Sequence, residues 1–130
     1  DARRWDDLMR NLSDDFAEAV VQVVRAKDMS MDDLADEIGV SRPAIYKWLD
    51  QKRISLRHVL AICVALTLRA DIGLALVGKA GYTFRKTDED MLLHAMVFHP
   101  DIFTITSANA LLEKKKLPKL ANGKGGTEQE

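Results

Sequence analysis

MSMDDLADEIGVSRPAIYKWLDQKR, Met29 to Arg53, carries two short helical patterns in succession, each opened by a serine. Ser30, answered by Asp33 three residues later, has the form of a capping box, and Leu34, Ala35 and Ile38 supply the buried face of the helix it starts. Gly39 stops that helix after barely two turns. Ser41 opens the next, with Pro43 in the first turn, where a missing amide costs nothing because that donor has no partner inside the helix anyway. Ile45, Trp48 and Leu49 mark its inner side, so Arg42, Pro43, Ala44, Tyr46, Lys47 and Gln51 divide among its exposed faces. Small Ala35 lets the two helices cross closely, and Val40 and Ile45 plug the angle between them.

Working outward, Trp5, Leu8, Met9 and Leu12 form a short amphipathic segment, and Ser13 is the candidate cap of a helix with Phe16, Val20, Val23 and Val24 on one face. Ser55 predicts a third serine-capped helix carrying Leu56, Val59, Leu60 and Cys63, and residues 67–77 read as one more, with Leu68, Ile72, Leu76 and Val77 inward. After Gly78 the pattern changes. Tyr82 to Arg85 and Asp101 to Thr106 alternate in a way that suits short β segments. Asp88 to Phe98 is predicted helical with Met91, Leu92, Ala95 and Phe98 on its apolar face, Pro100 ends it, and Ala108 to Leu112 forms a further short turn of helix. The Lys- and Gly-rich end, 119–130, is expected to be a disordered tail.

The net charge of −1 hides an uneven distribution. Residues 1–41 hold five Lys/Arg against eleven Asp/Glu, whereas residues 42–69 hold Arg42, Lys47, Lys52, Arg53, Arg57 and Arg69 against Asp50 alone. A basic island at and after the second short helix is what a nucleic-acid groove requires. Lys52 and Arg53, just beyond that helix, are placed for phosphates more than for base edges.

With these residues in place, the stretch from Val20 to Leu68 resembles the DNA-binding domain of the lambda-repressor-like helix-turn-helix family, also called the XRE family. The resemblance matches Ser30 to the family's serine at the start of its second helix, Ala35 to its alanine, Gly39 to its turn glycine and Ser41 to the cap of its recognition helix. It implies base or groove contacts from Arg42, Pro43, Ala44, Tyr46 and Lys47, and phosphate contacts from Ser30, Ser41, Gln51, Lys52 and Arg53. Met31 stands where many members carry glutamine, and Gln51 where a glycine commonly ends the recognition helix. More weakly, Ala75 to Leu112 looks like an extension that follows this motif in some small regulators of bacteria and mobile elements.

The expected architecture is therefore mainly α: a five-helix lambda-repressor-like bundle over residues 13–78, preceded by a helical segment at 1–12 and followed by a mostly helical accessory layer at 79–118. The function implied is a cytoplasmic, sequence-specific regulator that binds double-stranded DNA as a homodimer, with Phe98, Ile102, Phe103 and Ile105 at the dimer surface. Two alternatives stay open: an antitoxin-type DNA binder that also holds a toxin, and a helical protein-interaction module that does not bind DNA. No cofactor or metal is expected. His94 and His99, five residues apart, make a poor pair of ligands on one helix, Cys63 between Ile62 and Val64 reads as a small buried hydrophobe, and nothing assembles a nucleophile, base and oxyanion donor, so no enzyme is expected.

Overall fold

Side-chain caps set most of the element boundaries. Asp15, Ser30, Ser41, Ser55, Thr87 and Thr104 each accept a hydrogen bond from the backbone amide three residues on, and each opens a helix. The computed structural model describes residues 2–121, which fold into eight helices: α1 Ala2–Arg10, α2 Phe16–Ala26, α3 Met31–Ile38, α4 Arg42–Asp50, α5 Leu56–Ala65, α6 Ala70–Lys79, α7 Asp88–Phe98 and α8 Ile105–Lys114. There is no strand among the described residues, so the β segments expected at 82–85 and 101–106 are not formed there. Thr104 instead makes a capping box with Ser107, which starts α8 earlier than the sequence pattern suggests.

Other boundaries also move. Ser13 does not cap α2; its hydroxyl accepts from the Asp15 amide and donates to Glu18, and Asp15 takes the cap. The helix expected from residue 67 begins at Ala70, because Thr67 has a left-handed backbone, φ 48°, in the turn that ends α5. Arg69, just ahead of α6, then bridges two helices, its guanidinium 2.7 Å from Asp71 on α6 and 2.9 Å from Asp6 on α1. The hydrogen bond to Asp71 is the main reason Arg69 is held above its ordinary pKa, and the same pair holds the Asp71 carboxyl below its own.

At the centre lies α5, whose Val59 to Val64 are all buried and which packs against α3, α6, α7 and α8. Burial without paired charge pushes the Cys63 thiol up to about 12, so it remains a protonated, apolar filler. Gly73 of α6 lets α7 come close, since a Cβ there would lie 2.9 Å from Val97 Cγ1. The inner face of α7 is Leu93, Met96 and Val97, one step round from the expected Met91, Leu92, Ala95 and Phe98. Met91 to Phe98 is apolar on nearly every side, so periodicity could not choose its face.

Past α8 the chain doubles back. The Asn109 side chain accepts from the Leu120 amide and donates to the Ala121 carbonyl, Arg57 donates to the Pro118 carbonyl, and Leu120 and Ala121 are buried. The expected tail at 119–130 thus begins inside the packed structure, because Asn109 satisfies its backbone while Leu120 supplies apolar area. Residues 122–130 lie outside the described residues.

Candidate nucleic-acid interface

Two elements position the face of α4. Ahead of it, Gly39 caps α3 with φ 90°, its amide donating to the Ala35 carbonyl at 2.8 Å, and the chain reverses within three residues. Behind it, Ala44, Ile45 and Trp48 are buried against the core, and the Trp48 ring stacks on His58 of α5 at 3.9 Å and 8°. With its inner side held in this way, α4 turns Arg42, Pro43, Tyr46, Lys47 and Asp50 outward. Ala44 is not among them: at 6% exposure its methyl belongs to the core, and the residue does not share the outer face. Sequence spacing places Ala44 among the exposed residues of this helix, whereas the fold turns it inward with its neighbours Ile45 and Trp48.

The outer face has an internal order of its own. The Arg42 guanidinium lies over the Tyr46 ring, 5.4 Å from its centroid, and 3.6 Å from the Asp32 carboxylate at the start of α3. Both partners of that ion pair are more than half exposed, and exposed pairs contribute about 0–1 kcal/mol, little enough for a phosphate or a base edge to replace Asp32. Tyr46 is 45% exposed, an aromatic ring with a hydroxyl that can donate or accept. The Asp32 pairing was not foreseen from the sequence; an acidic residue in a first turn reads as a helix-dipole partner and carries no long-range signal.

The residues expected at phosphates frame this face. Ser30 and Ser41 each spend their oxygen on an amide, Asp33 at 3.0 Å and Ala44 at 3.2 Å, and so keep a hydroxyl proton to donate. Gln51 takes an extended backbone, φ −68° and ψ 145°, so the end of α4 needs no left-handed residue and glycine has no advantage there. Lys52 is exposed and pairs with no carboxylate among the described residues. Arg53 is committed in part: it donates to the Gly81 carbonyl at 3.1 Å and lies 4.2 Å from the Tyr82 ring centroid, while the Tyr82 hydroxyl donates to the Ile54 carbonyl at 2.8 Å.

The residues expected at a dimer surface divide. Phe98 and Ile102 are 49% and 69% exposed, whereas Phe103 and Ile105 are half-buried beside Val64 and Ala65 of α5. Met91, 62% exposed and seven residues before Phe98, lies on the same side of α7 as Phe98, and Ile102 follows in the loop between α7 and α8. Among the described residues no group of three or more His, Cys, Asp or Glu is arranged to hold a metal ion, and no helix is long and apolar enough to cross a membrane.

Compared with known proteins, residues 22–71 match the profile of the Cro/C1-type HTH DNA-binding domain. The match runs from α2 to the first turn of α6 and contains the capped α3–turn–α4 unit whole. Neither curated proteins nor solved structures show a significant match to the chain.

Proposed function

We propose, from the premise that a Cro/C1-type helix-turn-helix DNA-binding domain occupies residues 22–71, that this chain is a sequence-specific regulator that binds double-stranded DNA as a homodimer. The observation that carries the reading is the outer face of α4, where Arg42, Tyr46 and Lys47 stand exposed on a helix whose other side is locked into the core. In this reading Arg42, Pro43, Tyr46 and Lys47 enter the major groove. Ser30, Ser41, Gln51, Lys52 and Arg53 meet phosphates along its edges.

A single short helix reads only a few base pairs, so a second copy related by a two-fold axis doubles the contacts and places two helices roughly 34–36 Å apart. The exposed Met91 and Phe98 on one side of α7, with Ile102 exposed just beyond the end of that helix, support pairing, since such apolar groups are better covered than left in water. The test is selection of bound sequences from random duplexes, preceded by titration of a mixed-sequence duplex at low and moderate salt. Enrichment of a palindrome is the expected result; no binding at any salt would overturn the reading in favour of a protein-interaction module.

A further inference from the structure

We infer that the α6–α7 loop, residues 80–87, is a second phosphate-contacting arm of the nucleic-acid interface, in which Lys86 acts together with Arg53 beside the groove occupied by α4. This rests on the DNA-binding reading above and adds to it a part of the chain beyond the matched domain, which ends at residue 71.

Position comes first. The loop that leaves α4 and the loop that leaves α6 are tied together by the Arg53–Gly81 hydrogen bond, the stacking of Arg53 on Tyr82 and the Tyr82–Ile54 hydrogen bond. Gly81, at φ 92°, makes the turn that brings Tyr82 back under Arg53. Gly81 and Tyr82 therefore move with the loop that leaves α4, and Arg85, next to Lys86, shares a cleft with Arg53.

Charge comes second. Arg53, Arg57 and Arg85 line one cleft of about 410 Å³ with Tyr82, Glu89 and Asp90. The two carboxylates there are already matched, Glu89 by Arg57 at 2.6 Å and Asp90 by Arg85 at 3.2 Å. Among the described residues Arg53 has only a carbonyl and a ring as partners, which leaves most of its five N–H donors for an anion. Lys86, next in sequence to Arg85, is exposed, and like Lys52 it pairs with no carboxylate among the described residues. An incoming phosphate at Arg53 and Lys86 thus breaks no ion pair among the described residues, in contrast to Arg42, which must first leave Asp32. Arg85 has a different part: its backbone amide and guanidinium both bind the buried Asp90 carboxylate, and this pins the base of the arm.

The experiment compares the full chain with Lys86→Ala and Tyr82→Phe, using a mixed-sequence duplex across a salt series and hydroxyl-radical footprints on an enriched duplex. Lys86→Ala is expected to lower affinity by the same factor on every sequence, to reduce the salt slope by about one, and to lose protection only at phosphates flanking the α4 contact. Tyr82→Phe, which frees the arm from Ile54 but keeps the ring under Arg53, is expected to weaken the same flanking protection and leave the central one intact. An unchanged slope and footprint in Lys86→Ala, with the parent chain binding normally, would overturn the arm and leave the main reading standing. Absence of duplex binding by the parent chain would remove both.

Discussion

At the scale of single residues, Arg42 is the side chain whose surroundings say most about recognition. It is held ready by Tyr46 and by a weak pair with Asp32, so Asp32→Asn should release it and remove a repelling charge from the phosphate side. Affinity for duplex DNA in that variant is expected to rise by a factor of about 1.4 to 5 by fluorescence anisotropy, on the basis that exposed pairs contribute about 0.2–1 kcal/mol. Arg42→Ala should instead lose about 1–3 kcal/mol of discrimination at one base-pair position, read by competition with mismatched duplexes. Asp90 gives a stability prediction. The Arg85 amide, with the Arg85 guanidinium behind it, holds the carboxyl below its ordinary value. A depressed carboxylate contributes stability above its unfolded pKa of about 3.9, and that contribution is lost as pH falls through the lower folded value. Asp90→Asn should cost about 1–3 kcal/mol near neutral pH and flatten the acid limb of a denaturation-versus-pH curve; an unaltered limb would show that other carboxylates govern it. Much at this scale was readable beforehand: Ser30, Ser41 and Ser55 announce themselves because capping chemistry is local. The fates of Arg53 and Asp32 were not, because their partners stand 28 and 10 residues away and nothing in the intervening chain signals them.

Among the elements, the contact between α6 and α7 is the most sensitive to side-chain volume. A methyl added at Gly73 meets Val97 Cγ1 at 2.9 Å and lies 3.7 Å from Cys63 Sγ, within an otherwise filled interior. Gly73→Ala is expected to lower stability by about 1–3 kcal/mol, the usual penalty of overpacking, and Val97→Ala in the same chain should restore part of it. Thermal melts of the two single variants and the double one check this, and strict additivity would show that the residues do not meet. The face of α7 could not be read from sequence, whereas the faces of α2 and α3 could. In α2 and α3 polar residues separate the buried positions; in α7, Leu92, Leu93, Ala95, Met96, Val97 and Phe98 offer apolar groups in every direction, and which of them turn inward is set by packing against α5 and α6, distant in sequence.

For the whole molecule, α5 joins α4, through the Trp48–His58 stack, to α7 with its exposed Met91 and Phe98. Ile102→Glu, at a position 69% exposed, is expected to leave the melting temperature nearly unchanged, shift sedimentation toward a single copy and weaken binding to a palindrome more than to one half-site. A variant that sediments as the parent does would move the pairing surface elsewhere. The joining role of α5 also bears on how the chain comes apart. With Val59 to Val64 enclosed by helices from both sides of the α6–α7 loop, neither segment retains a filled interior without the other. A protease that cuts the backbone between Thr83 and Arg85 would therefore leave two pieces still seated together, co-migrating on a sizing column and parting only in denaturant, so that a nicked preparation passes for an intact one until it is boiled.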